Sequence, residues 1–115
     1  MPFFFEKCKI ELNGHEYLID PTSKKTVEAL DKVMKTGADY MKNDHKKPQE
    51  ESEKFLIETI KEATDQICGS GTFDAVFESH AVNVINAIEM WASICNDIAR
   101  YKIERMNQLM GTKAA

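Results

Sequence analysis

The chain has 115 residues, a mass of 13.1 kDa and a formal net charge of −4, with a pI near 5.4. That length fits one domain, and the acidic balance excludes a general nucleic-acid binder, which carries a basic face. The cysteines Cys8, Cys68 and Cys95 are odd in number, widely spaced and form no CxxC pair, which excludes a disulfide framework and points to a reducing compartment.

The opening Met1-Pro2-Phe3-Phe4-Phe5 has no basic region before it, and Glu6 and Lys7 follow at once. It reads neither as a signal peptide nor as a membrane span, so a cytosolic protein is expected. Residues 3 to 19 read as a β-hairpin, because Asn13-Gly14 tolerates the positive φ of a type I′ turn. A two-residue turn sets Leu12 opposite His15, Ile10 opposite Tyr17 and Cys8 opposite Ile19, all on one largely apolar side. Lys7, Lys9, Glu11 and Glu16 take the other side. A lone hairpin is not stable in water, so the apolar side must pack on helices. Alternation puts Phe4 with the core and turns Phe3 and Phe5 outward, to be covered by a helix or another chain.

Asp20-Pro21-Thr22-Ser23 ends the strand and opens a helix, with Asp20, Thr22 or Ser23 as its N-cap. Val27, Leu30, Met34, Ala38 and Met41 recur at three- and four-residue steps, the expected buried stripe. Gly37 weakens this helix by about 1 kcal/mol relative to Ala. Lys42 to Pro48 reads as an exposed loop. Glu50, Glu51 and Glu53 suit the positive end of a second helix, whose stripe is Leu56, Ile60, Ala63 and Ile67, with Phe55 and Ile57 beside it. Gly69 suits a helix end and Thr72 the cap of a short third helix carrying Phe73, Val76 and Phe77. Ser79 is the expected cap or kink before a last helix from His80 to about Met110. Its stripe is Val84, Ile88, Trp91, Cys95, Ile98 and Met106, flanked by Ile85, Ala92, Ala99 and Leu109. About 30 helical residues span roughly 45 Å, more than the roughly 35 Å breadth of a compact domain of this length. This helix should project from its domain or lie against a partner. Only Glu89 and Asp97 are charged between Ile85 and Ile98, which suggests burial on more than one side.

The expected fold is therefore α+β and mostly α: an N-terminal β-hairpin packed on about four helices, with a long C-terminal helix. One domain covers 1–115, with the hairpin in 1–20, the helical part in 21–110 and a frayed tail in 111–115.

Known chemistries find little support. A P-loop needs G-x-x-x-x-G-K-[ST], yet Gly69-Ser70-Gly71-Thr72 is followed by Phe73-Asp74, with no lysine. A dinucleotide fingerprint needs a preceding strand and a third glycine, both missing. His15, His45, His80 and the cysteines show no metal-ligand spacing. No base accompanies a cysteine or serine at a spacing that suggests nucleophilic catalysis. The expectation is a non-enzyme without cofactor or metal. Candidate protein-interface residues are Phe3, Phe5, Phe73, Phe77 and Trp91, with Arg100 and Arg105 on a basic C-terminal stretch; Trp91 is read first as core.

Three segments together carry a resemblance. They are the hairpin from Ile10 to Asp20, with Asn-Gly before Tyr-Leu-Ile-Asp; the joint Ile67-Cys-Gly-Ser-Gly-Thr-Phe-Asp-Ala-Val-Phe77; and the helix end Ile98-Ala-Arg-Tyr-Lys-Ile-Glu-Arg105. The chain resembles the tail assembly chaperone-like small proteins of siphophages and prophages of Gram-positive bacteria. The resemblance implies a role in tail assembly, coating the tape measure protein and aiding tail-tube subunits, with self-association and a location in the host cytoplasm. It transfers no catalytic residue. The alternative is a minor virion component or a phage-encoded regulator that binds a host protein.

Overall fold

The computed structural model describes residues 7–42 and 48–111. Phe3, Phe5, His45, most of the expected 42–48 loop and residues 112–115 lie outside them. The chain begins with two antiparallel strands, β1 (Cys8–Leu12) and β2 (His15–Ile19). Asn13 has φ 49° and Gly14 φ 82°, the positive values that a two-residue hairpin turn demands. The register is the expected one, with Cys8 opposite Ile19, Ile10 opposite Tyr17 and Leu12 opposite His15. Cys8, Ile10, Leu12 and Ile19 are buried, Tyr17 is half-buried and His15 is exposed. On the outer face Glu11 lies opposite Glu16, and Lys9 Nζ offsets that like-charge pair from 3.5 Å.

Four helices follow: α1 (Lys24–Lys42), α2 (Gln49–Cys68), α3 (Thr72–Val76) and α4 (Val84–Leu109). Ser23 caps α1, its Oγ accepting the Thr26 N–H at 3.2 Å. Asp20 instead makes a turn, accepting the Thr22 N–H at 3.0 Å. α1 packs on α2, α4 packs on β1 and α2, and β2 and α3 both lean on α2. The core is the inner face of the hairpin closed by α2, α3 and α4, with Ile10, Ile60, Phe73 and Ile94 almost fully buried. Such side chains contribute about 1.5–3 kcal/mol each. Asp97 ties the hairpin to α4, accepting the Glu11 N–H at 3.3 Å.

The joint between α2 and α4 differs from expectation in detail. Gly69 ends α2 with φ 118° and ψ 151°, a positive φ but an extended ψ rather than the left-handed helical one. Gly71, at φ 85°, precedes α3 in the left-handed conformation. Thr72 is therefore the first residue of α3 and not its cap, and its Oγ1 donates to the Gly69 carbonyl at 2.7 Å. The capping work is done by Asp65 on α2, whose Oδ1 accepts the Phe73 N–H at 2.9 Å. The last helix starts later than expected. Asn83, not Ser79, caps it by accepting the Asn86 N–H at 2.8 Å. His80 is exposed in the turn before it and is no first-turn residue.

α4 has 26 residues and so runs about 39 Å. The molecule measures 53 × 31 × 30 Å, with a radius of gyration of 16.0 Å against about 13 Å for a compact domain of this length. The elongation fits a final helix that overshoots its own core.

Candidate helix-binding groove

The inward faces of α1 and α4 are not those expected from the apolar stripes. α1 buries Thr26, Ala29 and Val33 against the body of the protein. Val27, Met34 and Met41, expected in the core, are 50%, 67% and 79% exposed. Small residues let α1 approach α2 closely, and that choice turns the bulkier stripe outward. α4 makes a similar shift. It buries Ala87, Met90, Trp91, Ile94 and Ile98, whereas Ile85, Ile88 and Met106 remain exposed. Burial on more than one side is therefore not what the low charge of this helix reports.

The outward stripe of α1 and one edge of α4 face each other across α2. Between them lies a groove of about 710 Å³. Its α1 wall is Val27, Leu30, Met34, Gly37 and Met41. Its α4 wall is Ile88, Trp91, Cys95 and Lys102, and Leu56 and Ile60 of α2 form the base. The two walls share one spacing. Among the α1 lining residues, Val27, Leu30, Met34, Gly37 and Met41 step by three, four, three and four residues, with Asp31, Val33 and Tyr40 beside them, and the α4 positions step by three, four and seven. A 3–4 alternation is the seam that one helix presents to another in knobs-into-holes packing. Gly37 leaves a gap in the α1 wall, with nothing within 4 Å of where a Cβ would be.

Polar groups are sparse in this lining. Asp31 is held by an ion pair with Lys35 at 2.9 Å, and the Tyr40 hydroxyl donates to Glu53 Oε1 at 3.2 Å. A small-molecule site usually adds a few convergent polar groups to its apolar walls. This lining offers Asp31 and Tyr40, both already engaged, and the exposed Lys102.

Of the seven residues named from the sequence, the five described ones are scattered. Phe73 and Phe77 are 2% and 8% exposed in the core, with ring centroids 4.5 Å apart, and so do not form an exposed face. Trp91 is 9% exposed, belongs to the core as first read, and also lines the groove. Arg100 pairs with Asp97 beside the hairpin. Arg105 donates to Gln108 Oε1 at 3.0 Å, near the end of α4. Phe3 and Phe5 lie outside the described residues. The residues that build the groove, Val27, Met34, Met41 and Ile88, belong to the stripes that periodicity places in the core. Their signal was present as two apolar stripes on α1, one more than a single buried face needs.

The cysteines are poor nucleophiles where they stand. Burial, aided by the nearby Asp65, pushes the Cys68 thiol up to about 11. Burial also raises Cys95, and burial with the Asp97 charge raises Cys8. All three are therefore protonated at neutral pH. Among the described residues, no group of three or more His, Cys, Asp and Glu is placed to hold a metal ion. Among them too, no helix is long and apolar enough to cross a membrane.

Residues 13–113 match a protein family of unknown function, DUF6673. The match takes in the second strand and all four helices, and so the whole groove. No curated protein and no solved structure matches the chain.

Proposed function

We propose that this chain, which belongs to the DUF6673 family of unknown function, is a non-enzymatic protein-binding module of a phage or prophage that acts in tail assembly. The observation that carries the binding reading is the groove between α1 and α4, whose walls repeat at helical seam spacing. Its occupant is an amphipathic helix with apolar residues at three- and four-residue steps, seated by helix-in-groove burial. Exposed methionines suit such a surface, because their flexible thioethers adapt to several partner shapes.

The biological setting rests on the resemblance carried by the hairpin, the Gly69 joint and the end of α4. In this reading the partner helix comes from the tape measure protein or a tail-tube subunit, in the host cytoplasm. Shielding apolar helices until the tube closes around them is the work of a chaperone, and it needs a groove that releases its occupant. The test is binding of purified chain to overlapping tape-measure fragments by isothermal titration calorimetry. Saturable binding with negative heat-capacity change, lost in Met34→Asp, is the expected result. No binding to any tape-measure or tail-tube fragment overturns the assignment.

A further inference from the structure

We infer that the groove selects its guest helix by two features on one face: a large apolar knob that fills the space at Gly37 and, about one turn away, an acidic side chain that meets Lys102. This rests on the groove being a helix seat and adds what kind of helix it takes.

The two walls run in the same direction. α1 and α2 are antiparallel: the Gln66 side-chain amide donates to the Lys25 carbonyl at 2.8 Å near one end, and Tyr40 donates to Glu53 near the other. α3 is held on the second half of α2, where Lys61 pairs with Asp74 at 3.4 Å and Asp65 accepts the Phe73 N–H. The first half of α4 lies against α3, since Val76 and Phe77 share a cavity with Asn86 and Met90. α4 is therefore antiparallel to α2 and parallel to α1, which puts Lys102 at the Met41 end of the groove. From Val27 to Met41, and from Ile88 to Lys102, each wall is about 21 Å long.

Gly37 sits one turn short of that end. It lies inside α1, where glycine is destabilising relative to alanine. Its φ is not positive, and nothing lies within 4 Å of an added Cβ. Neither the backbone nor close packing therefore calls for glycine there. Across from it, α4 lines the groove with nothing between Cys95 and Lys102, because Ile98 turns into the core. Both walls are bare at one level. Met34 and Met41 border the space, and their flexible thioethers adapt to apolar shapes. A large guest side chain leaves water there, whereas a guest alanine leaves a void.

Charge in the lining points the same way. Asp31 is neutralised by Lys35 at 2.9 Å. Lys102 is exposed and, among the described residues, forms no ion pair. It stands level with Met41, four residues beyond Gly37, so an acid three or four residues from the knob comes within its reach. Such an exposed pair adds little affinity, but it fixes the guest's register.

The test uses the full chain and designed helical peptides with leucines at three- and four-residue steps. The central knob is Phe or Ala, and the residues four positions to either side of it are both Glu or both Lys. By fluorescence anisotropy the wild type should bind the Phe peptide at least about tenfold more tightly than the Ala peptide. Gly37→Leu, shown to be folded by circular dichroism, fills the space itself and should lose that preference. At low salt the wild type should favour Glu over Lys flanks by roughly threefold, and Lys102→Glu should reverse the order. Equal binding of Phe and Ala knobs, a preference that survives Gly37→Leu, or a Lys102→Glu chain that still favours Glu overturns the inference and leaves the helix seat in place. Binding of no peptide overturns both. If the peptides behave as expected while no tape-measure or tail-tube fragment binds, the inference stands and the tail-assembly reading falls.

Discussion

Replacing Gly69 by alanine tests the joint on which the helical layout turns. Gly69 combines φ 118° with ψ 151°, a region open essentially to glycine alone. A Cβ there would meet only Thr72 Oγ1, at 3.9 Å, an ordinary contact, so the penalty is backbone strain and not collision. Such strain costs about 1–3 kcal/mol. The reduced freedom of the unfolded alanine chain returns about 0.4–1 kcal/mol, leaving a net loss of roughly 1–2 kcal/mol. For a domain of this size that lowers Tm by roughly 4–8 °C. Urea melts followed by far-UV circular dichroism should show an earlier midpoint with an unchanged slope. An alanine variant as stable as the wild type would mean that the chain does not turn at Gly69 in this way.

The opposite sign is expected at Gly37. It lies inside α1 with nothing within 4 Å of an added Cβ, so Gly37→Ala should stabilise by about 1 kcal/mol and narrow the groove; a lower Tm would contradict this. Thr64 is fully buried and its Oγ1 has no hydrogen-bond partner among the described residues, whereas Thr59 Oγ1 donates to the Phe55 carbonyl at 2.9 Å. Thr64→Val should therefore stabilise by about 1 kcal/mol, and Thr59→Val should not, as paired thermal melts will show. The Cys68 thiol titrates at about 11, above its ordinary value, so the folded state holds this proton more tightly than the unfolded one. The stability it gives is fully present below the unfolded thiol's pKa and is lost as pH rises from that value through about 11. Iodoacetamide should alkylate Cys68 slowly at neutral pH, with the rate rising toward pH 11; a midpoint at the ordinary thiol value would refute the burial argument.

The hairpin from Cys8 to Ile19 was legible because Asn13-Gly14 is a local signal, and a two-residue turn leaves no freedom in the register; the expected start at residue 3 lies outside the described residues. The helix order was legible from glycines and periodicity. The start of α4 was not, because Ser79 and Asn83 are both good caps. The choice between them is made by contacts: Asn83 accepts the Asn86 N–H, and the Asn86 amide donates back to the Ala81 carbonyl at 2.9 Å. Asp65 was missed as a cap because its partner, Phe73, lies eight residues on and beyond a turn. The groove was hidden for a related reason. α1 has two apolar stripes, and periodicity favours the heavier one, Val27-Leu30-Met34-Met41. Which stripe faces inward depends on how closely α2 allows α1 to approach, and Ala29 and Val33 suit that close contact. The surplus stripe became the candidate site.

The central claim is that the α1–α4 groove receives a helix, and methyl NMR reads it directly. Met34, Met41 and Ile88 supply methyl probes on the two walls. Titration with a tape-measure helix should shift these three and leave the Ile10 methyls, buried under the hairpin, unmoved. Binding that shifts other methyls while the groove probes stay still would contradict the account.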